Sequence, residues 1–275
     1  MNDIKLPNKK VYFGFAVNPS DDMENENDDE GIFCDNCNTK YKYNFKVFSR
    51  LGDYYCENCD SKRPDLNYRV EEINELLHNH SSIIINGESI NSNQSGLYNI
   101  YNIVCAFACA SELDIDIEDI KNGIQSYQSR FGRQEIINID DKEVEMILVK
   151  NPAGCNEAIN KVALDDDTID LGFLLNDNTG DGTDISWIWD VNFEKFKDVE
   201  YANFLIGGTR LYDMGIRLKV SGLDQEKLVL CDTYDKVLDT IKNSGNNKLY
   251  LLVTYSAMME FRKFLYNNKY VRSIW

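Results

Sequence analysis

The sequence predicts an α/β protein in two domains, and three observations carry that prediction. Beyond residue 135, apolar strand-like runs alternate with amphipathic helical segments, the βαβ order of a mostly parallel sheet with helices on both faces. Ahead of that region, two Cys-x-x-Cys pairs frame an alternating aromatic and polar stretch that reads as a ribbon hairpin. Finally, 275 residues with 43% hydrophobic and 27% charged side chains suit one large domain or two of ordinary size, which excludes disorder and collagen-like repeats.

The first domain, 1–134, opens with the apolar run Lys9–Val17, KKVYFGFAV, expected as a buried strand. The ribbon occupies about residues 31–63. Ser81–Asn86, SSIIIN, is a short β-branched strand. Gly96–Leu113 carries apolar residues at helical spacing, and Asp116–Gln128 forms a second amphipathic helix. Phe131-Gly132-Arg133-Gln134-Glu135 reads as a turn at a domain junction. The second domain, 135–275, reads as strand 145–150, helix near 155–163, strand 169–175, strand near 201–206, helix 210–219, strand 227–231, helix 233–243, strand 248–253 and helix 255–266. Sheets of this kind gather ligands at the carboxyl ends of their strands.

Charge and hydropathy exclude several classes of function. With 29 Lys+Arg against 46 Asp+Glu, the net charge of −17 opposes binding to nucleic acid or to anionic lipid, both of which need a basic face. The run Asp21–Glu30, DDMENENDDE, reads as a solvated loop rather than a cation site. Apolar stretches such as Ile103–Ala110 are too short to span a bilayer, and the N-terminus shows no signal pattern, so the chain is expected in the cytoplasm.

Four of the eight cysteines are spaced as Cys34-x2-Cys37 and Cys56-x2-Cys59, with 18 residues between the pairs. Each tight turn presents two thiolates on one side, and two such turns close a tetrahedral sulfur site that suits structural Zn²⁺ with no open coordination position. Disulfides or a redox pair are the alternative, disfavoured in a reduced cytosol and without a thioredoxin-like strand and helix beside either pair. Cys105, Cys109, Cys155 and Cys231 read as buried or incidental thiols. Cys155 is the one to examine as a nucleophile, because it follows Gly154 at an expected helix start. Its base is scarce, since the only histidines are His78 and His80, far away in a polar segment.

Asn99 and Asn102 stand three apart near the Gly96 helix start, and an amide offers the paired donor and acceptor that reading an adenine edge requires. The other reading is a helix cap and a solvated amide. Arg133 can pair with a phosphate or serve as a structural ion pair. No G-x-x-x-x-G-K-[ST] phosphate loop occurs in the sequence.

Taken together, GLYNIYN, FGRQE some 30 residues later and the strand ending in Lys150-Asn-Pro-Ala-Gly154 resemble the end of the central domain and the start of the C-terminal domain of Mur ligases. The four-cysteine ribbon, LLNDNTGDGTDISWIWDVNFE, IGGTRLYDMGIRLKVSG and VTYSAMMEFRKFL sharpen this to a resemblance to the MurT family, the synthetase subunits of lipid II isoglutaminyl synthase, over essentially the whole chain. The resemblance implies the C-terminal part of a Mur ligase central domain with an inserted zinc ribbon, then a Rossmann-like Mur ligase C-terminal domain. It implies that ATP with Mg²⁺ activates the α-carboxylate of D-glutamate in the lipid II stem peptide as an acyl phosphate. Ammonia from a GatD-type glutaminase partner then yields D-isoglutamine, and the ligase subunit lends that partner a carboxylate to orient its histidine.

By position in Asp181-Gly-Thr-Asp184-Ile-Ser-Trp187-Ile-Trp189-Asp190, that carboxylate is assigned to Asp184, with Asp181 and Asp190 as runners-up. Trp187 and Trp189 suit an interface, an Asx-turn with core tryptophans being the other reading. Asn99, Asn102, Arg133 and Lys150 carry over as nucleotide contacts, with Asn102 at the adenine and Arg133 at a phosphate. Lys150 stands where Mur ligases generally have an Asp, which weakens its assignment. Arg210, Asp213 and Arg217 read as a charged scaffold. MurT proteins begin with a segment carrying the phosphate loop, so the chain is expected to be a fragment or truncation, or to have its ATP site completed by another chain. Two competing functions follow: a non-catalytic module that only docks and completes a glutaminase, and a zinc-ribbon nucleic-acid binder, which the charge opposes.

Overall fold

The computed structural model describes residues 8–19, 33–48, 51–127 and 133–272. The acidic run 21–30 lies outside them, as do Phe131 and Gly132 of the expected junction turn. The chain divides into two compact units, Met1–Gln128 and Ser129–Trp275.

The first unit holds a four-stranded sheet in the order β1-β4-β5-β6, built from β1 (Phe13–Phe15), β4 (Tyr68–Leu76), β5 (Ser81–Ile85) and β6 (Glu88–Ser92). β1 runs parallel to β4, and the other pairs are antiparallel. In β5 the alternation places Ser81, Ile83 and Ile85 inward, so stiff β-branched side chains meet the core. The expected strand Lys9–Val17 shrinks to three residues because only Phe13–Phe15 find β4 partners, while Lys9 and Lys10 face solvent. The sequence reading did not anticipate β4, whose exposed Glu72 and Glu75 hide its apolar alternation, or β6, in which Ile90 is the one apolar residue.

Helices α1 (Leu97–Ser111) and α2 (Ile117–Ser126) cover this sheet. Ile100, Ile103, Val104 and Phe107 form the buried face of α1. The side chain of Asp116 caps α2 by accepting from the Glu118 N–H at 2.9 Å. Between β1 and β4 the ribbon hairpin pairs β2 (Lys42–Phe48) antiparallel with β3 (Leu51–Tyr55), as the aromatic alternation predicts.

The second unit is a six-stranded sheet in the order β11-β10-β9-β12-β8-β7. Its strands are β7 (Arg133–Ile139), β8 (Lys142–Leu148), β9 (Ile169–Leu174), β10 (Tyr201–Gly207), β11 (Leu228–Leu230) and β12 (Lys248–Val253). All neighbours are parallel except β7 and β8. The expected turn at Phe131–Glu135 is corrected from Arg133 onward: β7 forms there because Ile137 and Ile139 reach the core.

On one face lie α3 (Pro152–Val162) and α4 (Leu211–Val220), and on the other α5 (Tyr234–Asn243) and α6 (Tyr255–Asn267). Burial alternates accordingly. Tyr250 and Leu252 of β12 join the first core, and Leu249, Leu251 and Val253 the second. All six residues of β9 are buried, as in a strand covered on both faces, and its one polar side chain, Asp170, accepts from the Asn203 N–H and amide at 3.1 Å. A chain of aromatic contacts, Phe173–Phe193–Phe196–Phe204 with centroids 5.6–6.3 Å apart, seals the first core.

Beyond β10, Gly208 has φ +93°, and a Cβ there would lie 2.3 Å from the Leu175 carbonyl oxygen. Only glycine lets the chain turn this tightly against the end of β9. Gly208→Ala is therefore expected to destabilise the protein by about 2 kcal/mol or more, read from a shifted denaturant midpoint at constant slope.

Candidate functional site

Two places concentrate chemistry-bearing side chains, one in each unit. In the ribbon, the sulfur atoms of Cys34, Cys37, Cys56 and Cys59 lie within 4.8 Å of one another. The tightest pairs are Cys37–Cys56 at 3.4 Å, Cys34–Cys59 at 3.5 Å and Cys37–Cys59 at 3.6 Å. Both turns are built alike: the Cys34 N–H donates to the Thr39 carbonyl at 2.8 Å, and the Cys56 N–H donates to the Ser61 carbonyl at 2.8 Å.

The Thr39 hydroxyl and the Asn58 side chain pull the Cys37 thiol down to about 6. Four thiolates in this space repel one another, and a divalent cation relieves that repulsion while accepting all four sulfurs, so the donor set fits a closed metal site. Cys155 is different. It lies wholly buried in the core with Ile159 and Phe173, and desolvation pushes its thiol far up, which makes it the buried thiol of the first reading rather than a nucleophile.

In the second unit the carboxyl ends of β9 and β12 stand side by side, because these strands pair in parallel. The loop after β9 and the start of α6 meet there. Asp181 is buried: one carboxylate oxygen accepts the Ser256 N–H at 2.6 Å, and the other accepts the Ser256 hydroxyl and the Asn178 N–H at 3.1 Å. Glu260 accepts from the side-chain amides of Asn176 and Asn178, each at 3.3 Å, and from the Tyr234 hydroxyl at 2.9 Å. Sequence reasoning assigned no role to Asn176, Asn178, Ser256 or Glu260. Their segments were recognisable, but 75 to 84 residues separate the partners in the loop after β9 from those on α6, and no local pattern shows that they meet.

Asp184 is exposed. The Ser186 N–H donates to it at 2.8 Å and, with the Ser186 side chain, holds its carboxyl below the usual carboxylate range, so it is ionised at neutral pH. It introduces a 3₁₀ turn, Ser186–Asp190, in which Ile188 is buried, Trp187 packs partly against the core, and Trp189 remains 51% exposed. Asp190 ends this turn at the surface. Arg217 of α4 clamps the turn from below, donating to the carbonyls of Ile188 at 3.0 Å and Val191 at 2.7 Å, with its guanidinium 5.6 Å from the Trp189 ring. It pairs with Glu194 at 3.2 Å, and Arg210 pairs with Asp213 at 3.2 Å, as a charged scaffold should.

Among the expected nucleotide contacts, Asn99 is buried, its amide donating to the Ser95 carbonyl at 2.7 Å. Asn102 is exposed one turn later and donates to the Asn99 side chain at 3.4 Å. Lys150 is exposed just past the end of β8, beside the Asn151 cap of α3. Arg133 opens β7, and its side chain lies outside the described residues.

The family model for the MurT ligase C-terminal domain matches residues 148–258. The chain is also 40% identical, over 97% of its length, to the lipid II isoglutaminyl synthase (glutamine-hydrolyzing) subunit MurT of Streptococcus pneumoniae (strain ATCC BAA-255 / R6). Nearly the whole chain is thus similar to a MurT subunit, and residues 148–258 match the MurT C-terminal domain. The MurT subunit of Staphylococcus aureus (strain COL) is 29% identical over 86% of the chain, and the chain spans 60% and 53% of the lengths of these two curated relatives.

Among solved structures, a pseudomurein peptide ligase type C from Methanothermus fervidus aligns with 94% of this chain and 53% of its own, with a TM-score of 0.62 at 17% identity. MurF from Acinetobacter baumannii aligns with 74% of the chain and 46% of its own, with a TM-score of 0.58 at 18% identity. These likenesses show the fold, a Mur ligase-like α/β architecture. Among the described residues no helix is long and apolar enough to cross a membrane.

The sulfur geometry carries a direct expectation. Cys34→Ser and Cys59→Ser should each lose about one bound divalent metal per chain by elemental analysis and loosen the hairpin; unchanged metal content would show that the metal sits elsewhere.

Proposed function

We propose that this chain is the ligase-side subunit of a lipid II isoglutaminyl synthase, which amidates the α-carboxylate of D-glutamate in the lipid II stem peptide to D-isoglutamine. Its partner is a GatD-type glutaminase that supplies the ammonia, and the complex works in the cytoplasm on lipid II at the membrane surface. The observation that carries this reading is the Asp184 carboxylate, which is exposed, ionised and aimed by the Ser186 N–H. An imidazole acting as a general base needs such an acid to hold its tautomer and to stabilise its cation.

The sequence itself contains only two histidines. His80 lies in the turn after β4, where its imidazole is 3.8 Å from Glu75. The nucleophile and base for glutamine hydrolysis therefore come from the partner. The half-exposed Trp189 beside Asp184 supports docking there, since aromatic anchors concentrate binding energy. Asp181 is occupied by Ser256 and Asn178, which leaves Asp184 ahead of it for this role and Asp190 as the remaining alternative.

Cys34, Cys37, Cys56 and Cys59 hold a structural Zn²⁺ that staples the ribbon. ATP with Mg²⁺ supplies, when bound, the phosphoryl group that activates the carboxylate. Asn102 offers its exposed amide to the adenine edge, Asn99 supports Asn102 from behind, and Arg133 and Lys150 contribute positive charge toward phosphates. The domain assignment that accompanies this reading is a central-domain portion over 1–134, with the ribbon at about 31–63, and a C-terminal domain over 135–275.

In a reconstituted complex, Asp184→Asn should lower glutamine hydrolysis by about 10²-fold or more while the subunits still co-elute. Full activity would pass the role to Asp190, and a partner whose hydrolysis is indifferent to the presence of this chain would defeat the reading.

A further inference from the structure

We propose that Ser256, acting through Asp181, is a positioning residue for the Asp184 carboxylate. This deepens the glutaminase reading and rests on it. The loop carrying Asp184 is anchored on both sides. Downstream, Arg217 holds the carbonyls of Ile188 and Val191, and the buried Ile188 fixes the 3₁₀ turn in the core. Upstream, the Ser256 hydroxyl is used to its full capacity of one donor and two acceptors. It donates to Asp181 and accepts from the amides of Asn178 at 2.9 Å and Asn176 at 3.1 Å. The Ser256 N–H takes the other Asp181 oxygen at 2.6 Å, and Glu260, one turn along α6, receives the same two amides.

Between the anchors lies a short exposed stretch whose first residue, Gly182, has φ +92°. Glycine leaves the backbone there free to pivot, so the direction of the Asp184 carboxylate depends on how firmly Asp181 is held. An acid that orients an imidazole must stand within hydrogen-bond reach of it, and a displacement of about 1 Å at such a group is costly to rate. The upstream anchor is wholly polar and sits at the start of α6, so it can be released without opening either apolar core. Its role is therefore geometric, and its loss registers in turnover rather than in glutamine binding or subunit docking.

The test uses the complex of this chain with its glutaminase partner. Ser256→Ala should lower kcat for glutamine hydrolysis about tenfold, with KM for glutamine and the Kd between subunits unchanged. Ser256→Thr, which keeps the hydroxyl, should restore kcat, and Asp181→Asn should reproduce the loss from the other side of the contact. An unchanged kcat in Ser256→Ala overturns the proposal, as does a loss confined to subunit affinity or one that Ser256→Thr fails to rescue. Asp184→Asn is measured in parallel. If that variant is inactive while Ser256→Ala is fully active, only the positioning role falls; if Asp184→Asn is itself fully active, the orienting role passes to Asp190 and this inference falls with the Asp184 assignment, while hydrolysis indifferent to this chain defeats the glutaminase reading itself.

Discussion

The parallel pairing of β9 with β12 is the constraint on which the rest of the second unit depends. Both strands are apolar along nearly their whole length and covered on both faces, so neither can expose a polar group along its body. Polar chemistry is displaced to the strand ends. There the loop after β9 turns toward the face carrying α3 and α4, while α6 leaves β12 on the opposite face. This divergence opens a crevice between two adjacent carboxyl ends, the location at which open α/β sheets place their sites. Asp181, Ser256, Asn178 and Glu260 fill it with mutually satisfied hydrogen bonds.

Within this frame two carboxylates three residues apart do different work because their surroundings differ. Asp181 is enclosed and fully bonded, which makes it a fastening for the loop. Asp184 faces solvent, and its low pKa comes from contacts with Ser186 rather than from a buried cation. Arg217 completes the arrangement from α4 by satisfying carbonyls that the short 3₁₀ turn leaves without helical partners. Its own charge is balanced by Glu194, so the clamp costs little desolvation that is not offset.

The first unit answers a different need. Its ribbon is a two-stranded hairpin, an element marginal in water without reinforcement, and a cation held by the four gathered sulfurs would provide that reinforcement. A metal held by all four would have no coordination position open, which separates this cluster from the chemistry proposed for the second unit.

What the sequence by itself determined was whatever is written locally. The Cys-x-x-Cys spacing announced the sulfur cluster, because a tight turn brings residues three apart onto one side of the chain. The alternation of apolar strands and amphipathic helices announced the doubly covered sheet, because burial follows periods of 2 and 3.6 residues. The motif around Asp184 pointed to that acid, with Asp181 and Asp190 beside it, only through the family resemblance it carries. β4, β6 and β7 were less legible: exposed Glu72 and Glu75 dilute the apolar signal of β4, Ile90 is the one apolar residue of β6, and β7 exposes Ile136 while its Glu135 pairs with the buried Arg262. Only the tertiary structure decided that Asn99 turns inward to Ser95, that Cys155 is sealed in the core, and that Ser256 and Asp181 meet across 75 residues. The physical reason is the same in each case: whether a polar side chain is spent inside the protein or left for chemistry depends on partners that the parallel crossovers bring together from distant sequence.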